Sequence, residues 1–192
     1  MTNSVSNVVV GKPLVTGGVL VAPKGTVLPT DATTALDAAF KALGYVTDKG
    51  VVKSEKRNTG TIAAWGGDTI AATKKGMDVT LKLDLAEFLN STVQGLVYGP
   101  SNVTLTPASA TAGNALVVKG TSASTPRNAW VIEVLSDVAH VRVVLPDARV
   151  MDVGDTTFDD ANIAAASVTV QAFPDASGVY FYTYTDDGQL TA

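Results

Sequence analysis

Residues Gly76–Gly99, GMDVTLKLDLAEFLNSTVQGLVYG, change their hydrophobic period within a single residue. Val79, Leu81, Leu83 and Leu85 alternate with Thr80, Lys82 and Asp84, the pattern of a strand with one buried face. From Leu85 onward the apolar positions are Leu85, Phe88, Leu89, Val93, Leu96 and Val97, the stripe of an amphipathic helix. This spacing predicts a helix over about 85–98. Asp84 stands at its N-cap position, Glu87 completes a capping box, and Gly99 with Pro100 supplies the stop. A strand therefore feeds directly into one main helix, in a chain that otherwise reads as β. The expected fold is mainly β, a two-sheet sandwich or barrel flanked by that helix.

On the N-terminal side, Val5–Val10 and Leu14–Ala22 read as strands, with Gly17 and Gly18 marking a bulge or close backbone approach. The loop APKGTVLPTDATT follows. A short helix is expected over about 33–43, where Leu36, Phe40 and Leu43 share a face and Gly44 forms the C-cap. Residues 48–75, DKGVVKSEKRNTGTIAAWGGDTIAATKK, differ in character: Lys, Thr and Gly are frequent and large apolar residues are few. A long exposed β-hairpin or loop turning at Gly66-Gly67-Asp68 is the natural reading. Trp65 is its one large anchor, and aromatic residues are enriched where protein surfaces meet.

On the C-terminal side the chain becomes a run of strands. Val103–Thr106 and Ala115–Lys119 flank a small-residue segment, and Trp130, Ile132 and Val134 alternate with Val131, Glu133 and Leu135. A further strand through Val141, Val143 and Leu145 is expected to stop at Pro146. Val168–Phe173 and Val179–Thr185 read as a final hairpin across PDASG, with Tyr180, Tyr182 and Tyr184 on one face. Many short strands at turn-punctuated spacing argue for a sandwich or barrel, and 192 residues fit a single domain over 1–192.

Composition excludes more than it suggests. There is no cysteine, so disulfides, thiolate metal sites and cysteine nucleophiles are ruled out. The single histidine, His140, lacks the context of a catalytic triad and reads as structural. The cluster Asp152, Asp155, Asp159 and Asp160 fails the spacing of an EF-hand loop, and a loose Ca²⁺ loop or carboxylate pair there is the only opening for chemistry. No phosphate-binding glycine loop, secretory leader or membrane-length apolar run is read. The expectation is no enzyme, no cofactor, no metal and no membrane partner.

Charge is unevenly placed. Residues 1–60 carry seven Lys/Arg against four Asp/Glu, whereas residues 151–192 carry seven Asp and no Lys or Arg. A chain with one basic and one acidic end has a physical reason to join copies of itself head to tail. The same imbalance disfavours DNA binding through a general basic patch.

In order and context these segments resemble the major tail tube proteins of long, non-contractile-tailed bacteriophages, particularly phages of actinobacteria. The segments that carry the likeness are APKGTVLPTDA with LDAAFKALGYV, the strand-to-helix unit ending LVYG, NAWVIEVL, RVVLPDARV and GVYFYTYTDDG. The resemblance implies copies closing into six-membered rings that stack into a hollow tube, with one sheet lining a channel through which DNA passes without specific binding. It implies a tape-measure protein inside the growing tube, tail terminator and tip proteins at its ends, and residence in the virion after assembly in the host cytoplasm. By position, the arm at about 48–75 would contact a neighbouring subunit or ring, which makes Lys53, Lys56, Arg57 and Trp65 the expected interface residues. Two other readings stand beside it: an immunoglobulin-like decoration or host-recognition module displaying the C-terminal tyrosines, and an enzyme built on the acidic cluster.

Overall fold

The structure, a computed structural model, describes residues 8–14 and 18–190. It is mainly β, with 49% strand and 6% helix. The strands are β1 (Lys12–Pro13), β2 (Val19–Pro23), β3 (Lys41–Ala42), β4 (Val46–Ala63), β5 (Thr69–Leu85), β6 (Val103–Thr106), β7 (Ala115–Val118), β8 (Asn128–Ser136), β9 (Ala139–Val153), β10 (Ala166–Ala172) and β11 (Tyr182–Asp186). One helix, α1 (Ser91–Tyr98), lies between β5 and β6. Nine strands form one antiparallel sheet in the order β3-β2-β8-β9-β10-β5-β4, with β1 beside β8 and β11 beside β9, while β6 and β7 pair separately.

The large sheet curls over a single main core. Val19 of β2 and Trp130 and Ile132 of β8 pack in the same cluster as Leu81, Leu83 and Leu85 of β5 and Val168 and Val170 of β10. Val93, Leu96 and Val97 of α1 complete that cluster. The alternating pattern read from Val79 to Leu85 thus faces inward as expected, each of its four residues being at most 4% exposed. The helix boundary is different. α1 starts at Ser91 and is capped by Asn90, whose side chain accepts the Thr92 N–H at 2.9 Å. Asp84 and Glu87 do not cap the helix because their carboxylates are bound elsewhere. Asp84 accepts from Ser167 Oγ and Lys49 Nζ, and Glu87 accepts the Tyr45 N–H and the Asn90 side-chain amide. Leu85 stays in the strand, paired with Ala166 on one side and Val46 on the other. Gly99, at φ 90°, ends the helix as its position predicted.

β8 is buried on both faces, which explains its nearly continuous apolar run. Val131 with Val144 of β9 faces away from the main core, and Phe40, Leu28 and Leu36 of the 24–43 segment cover them together with Tyr182 and Tyr184. That segment is not the short helix expected over 33–43. It turns through residues 31–39 and ends as β3 against β2. Side chains take the backbone groups a helix would need: Asp31 accepts the Thr33 and Thr34 N–H groups, and Arg142 donates to the Asp31 and Thr34 carbonyls. Leu36, Phe40 and Leu43 are still apolar anchors, but Leu43 belongs to the main core and the other two to the outer cluster.

Two buried carboxylates set how this cover is fastened. Glu133 and Arg142 are register partners on β8 and β9, and Arg142 Nε meets Glu133 Oε1 at 2.7 Å with both side chains about 5% exposed. Asp147, equally buried, receives Lys24 Nζ at 2.5 Å and Arg127 Nε at 2.6 Å. The Arg127 guanidinium also lies over the Phe173 ring, 3.9 Å from its centre.

Three further expectations change. β9 does not stop at Pro146. The proline sits where the β8 register shifts between Asn128 and Trp130, and between the stretches of β9 that pair with β11 and with β10, so no ladder hydrogen bond is lost. β10 and β11 are not a hairpin; both pair with β9 along one edge, end to end, and the intervening loop turns on Asp175, which accepts the Ser177 and Val179 N–H groups and the Tyr182 hydroxyl. Tyr182 and Tyr184 stack with parallel rings 6.2 Å apart, whereas Tyr180 packs on the main core. Near the N-terminus, Lys12–Pro13 and Val19–Pro23 are the strands among the described residues. The strand read over Val5–Val10 lies largely outside the described residues, as does Gly17. Gly18 does mark a close approach, since a Cβ there would fall 2.6 Å from Pro13 Cβ.

Removing one partner of a buried ion pair strands the other charge, at a cost of about 3–5 kcal/mol. Arg142→Met should therefore lower stability by that order in urea unfolding, and the Glu133→Leu/Arg142→Met double variant should recover only the part due to the stranded carboxylate, because the Asp31 and Thr34 carbonyls still lack their donor. At Asp84 the Lys49 ammonium and the Ser167 hydroxyl hold the carboxyl below its ordinary pKa. A depressed pKa stabilises the fold at neutral pH, and that contribution disappears as pH falls through the ordinary aspartate range toward the depressed value. Asp84→Asn should melt lower than the parent at pH 7, with the difference shrinking on acidification.

Candidate assembly interface

β10 stops covering β5 at Thr80, which pairs with Gln171. Beyond that point β4 and β5 continue alone, from Glu55↔Val79 to Ala63↔Thr69. At a rise of about 3.3 Å per residue this leaves a two-stranded ribbon projecting roughly 30 Å from the body. The arm expected at about 48–75 is this hairpin, though its first residues are still part of the body: Val51 packs on the main core, and Lys49 donates to Asp84. The tip spans Ala64–Asp68, closed by Ala64 N–H to the Asp68 carbonyl at 2.7 Å and by Gly67 N–H to the Ala64 carbonyl at 3.0 Å. Gly66 and Gly67 have φ of 123° and 99°, a region closed to most side chains, so the turn needs both glycines.

Little holds the ribbon beyond its own ladder. Asn58 donates to Asp78 across it at 2.8 Å, and Thr73 Oγ1 donates to the Gly60 carbonyl at 3.2 Å. Register shifts at Asn58/Thr59 and Ile62/Ala63 add twist and interrupt the edge. Trp65 is fully exposed at the tip, with Ile62 and Ile70 beside it at least half exposed. A two-stranded ribbon without a packed face is marginal in water, so this geometry is suited to a partner surface.

The four residues expected at an interface separate into two groups. Lys53 is tied down at the root of the arm: it bridges Glu55 at 2.8 Å and sits 3.6 Å above the Phe181 ring. Lys56, Arg57 and Trp65 lie on the free ribbon and are exposed. Lys74 and Lys75, which sequence reasoning did not single out, join them there. Pairing brings Lys74 opposite Thr59, two residues from Arg57, and none of these four cations forms an ion pair among the described residues. Only the register could have revealed this, because Lys56 and Lys74 are far apart in sequence.

The other candidates for chemistry are dispersed. Asp152 ends β9, and Asp155, Asp159 and Asp160 lie in the exposed loop 154–165. Asp159 is occupied by its own turn, accepting from the Ala161 and Asn162 N–H groups, which hold its carboxyl below the ordinary range together with the Asn162 side chain. Among the described residues no group of three or more His, Asp or Glu side chains is placed to hold a metal ion. His140 is half-buried on β9, in register with Leu135 and Asp186. No helix among the described residues is long and apolar enough to cross a membrane.

No curated protein sequence matches the chain significantly. The family model described as "Phage tail tube protein" matches it over residues 1–191. A mainly β body, a single short helix and a long unpacked arm agree with that match across nearly the whole chain. The chain belongs to the phage tail tube protein family, and is a structural component of a bacteriophage tail.

Proposed function

We propose that this protein is the repeating subunit of the tail tube, that six copies close into a ring, and that rings stack into a hollow tube through which DNA enters the host. The observation that carries the self-assembly reading is the ribbon that continues past Val79 and Met77, the last of its β5 residues packed on the main core, and holds a fully exposed Trp65 at its tip. On this reading Lys56, Arg57 and Trp65 contact a neighbouring copy, and Lys53 fixes the angle at which the arm leaves the body. The tape-measure protein occupies the tube during assembly, terminator and tip proteins close its ends, and assembly takes place in the host cytoplasm. The protein performs no catalysis and needs no cofactor or metal. DNA passes without specific binding, since phosphate affinity comes from Lys and Arg.

Negative-stain imaging of concentrated protein tests the reading directly: rings or tubes are expected, and monomers persisting alone and with tail partners would refute it. The arm should also report assembly. Trypsin is expected to cut near Lys53–Arg57 far faster in the free subunit than in the tube, and equal rates would count against an arm buried by a neighbour.

Tryptophan emission provides a further check. Trp65 is fully exposed and Trp130 fully buried. The part of the spectrum lost in Trp65→Phe should be water-like in the monomer and blue-shifted in the assembled state. The same substitution should leave monomer stability within about 0.5 kcal/mol, as for other surface positions.

A further inference from the structure

Residues 25–39 lie across the outer face of β8 and β9 without joining the sheet. Among the described residues no main-chain hydrogen bond ties them to it: the Thr26 N–H turns back to the Pro23 carbonyl, and the Phe40 N–H to the Asp37 carbonyl. Arg142 holds them from outside, its Nη1 donating to the Asp31 and Thr34 carbonyls at 2.8 and 2.9 Å. Apolar packing on Ala129, Val131 and Val144 does the rest. Within the segment Ala32 alone is buried, while Leu28, Leu36 and Ala39 are half-buried. Along one flank a cleft of about 600 Å³ lies between residues 30–33 and residues 183–187. The two ends differ. At Gly25 φ is 95°, and a Cβ there would meet nothing within 4 Å. At the other end β3 pairs with β2, and Leu43 is buried in the main core with its N–H on the Val19 carbonyl.

We propose that residues 25–39 are a strap that lifts as a unit, between Gly25 and the start of β3, while the sheet and the main core stay folded. Its own turn travels with it, since Asp31 accepts the Thr33 and Thr34 N–H groups and the Thr34 hydroxyl, all inside the strap. Lifting strands no charge. Arg142 keeps Glu133 at 2.7 Å, and Lys24, at the root of the strap, keeps Asp147. Arg142 Nη1 and the two carbonyls it served exchange one another for water. The apolar loss is confined to the outer cluster, because the main core packs on the opposite face of β8 and β9. A segment with few buried apolar groups and no ladder bonds opens at a lower free energy than the whole domain. The lifted state bares Val131 and Val144, so the strap masks an apolar face that the free subunit would otherwise present to other chains. This is a property of the single subunit and does not rest on the tube reading.

The chain has no cysteine, so a single introduced thiol reports opening. Val131→Cys and Val144→Cys each place one under the strap, and Val170→Cys places one in the main core; all three positions are fully buried. In native buffer the Val131→Cys and Val144→Cys thiols should react with a thiol reagent about tenfold or more faster than the Val170→Cys thiol. Their rates should barely change with urea below the unfolding transition, whereas the Val170→Cys rate climbs steeply, because only global unfolding exposes much surface. Leu83→Ala weakens the main core in both strap states and should speed labelling of the Val170→Cys thiol alone. Leu36→Ala weakens the strap's packing and should speed labelling of the Val144→Cys thiol. Circular dichroism verifies that each variant is folded under the labelling conditions. Equal rates and equal urea slopes at the three positions, with Leu83→Ala speeding all of them, would make the segment an inseparable part of the fold and overturn the proposal. An unchanged Val144→Cys rate with Leu36→Ala would overturn it as well.

Discussion

A crossed pair of ion clusters holds this fold together. The segment 22–34 contributes Lys24 and Asp31, and the segment 142–150 contributes Arg142 and Asp147. Lys24 reaches Asp147 at one end, and Arg142 binds the backbone carbonyls of Asp31 and Thr34 at the other. With Glu133 and Arg127 added, two buried carboxylates and a buried guanidinium are matched in charge and in hydrogen bonds. The Arg142–Glu133 and Arg127–Asp147 pairs lie outside the 22–34 segment, and Lys24 on Asp147 and Arg142 on the Asp31 and Thr34 carbonyls fasten the segment to them. The docked segment in turn shields Val131 and Val144, the outer face of the two central strands. Without it the sheet would have one buried face and an exposed apolar one.

With the body so fastened, the marginal element can be placed where the core ends. β5 illustrates the transition within one strand. From Val79 to Leu85 every second side chain is buried, and from Thr69 to Lys75 every residue is exposed. The strand itself is continuous, but the material packed on it stops. Since the ribbon is anchored by a strand of the core, its direction is fixed at the root even where its own stability is low. Lys53, held between Glu55 and the Phe181 ring, adds a second constraint at that root.

Periodicity made the inward face of β5, the strand β8 and the exposed arm legible in the sequence, because each is a local pattern, whereas the burial of both faces of β8 came only from the structure. The helix start was hidden because Asp84 and Glu87 have the residue types and spacing of a capping box yet are spent on Ser167, Lys49, Tyr45 and Asn90. Residues 33–43 misled in the same way: Leu36 and Phe40 are spaced for a helix face, but Arg142, more than a hundred residues on, takes the carbonyls that would have made it. Pro146 looked terminal because its cost depends on neighbours that sequence does not show. On the arm, Trp65 and the first basic residues stood out locally. Lys74 and Lys75 required the hairpin register before they could be counted with Lys56 and Arg57. The segments that carried the family resemblance, APKGTVLPTDA and RVVLPDARV, prove to be the two halves of the crossed ion clusters.

A mostly polar surface suits an arm of this shape. A roughly 30 Å ribbon with an open edge is a template for pairing with any extended chain. Were its faces apolar, newly made subunits would associate indiscriminately. Lysines and an arginine keep the ribbon soluble, two register shifts interrupt its edge, and the largest apolar group is confined to the tip.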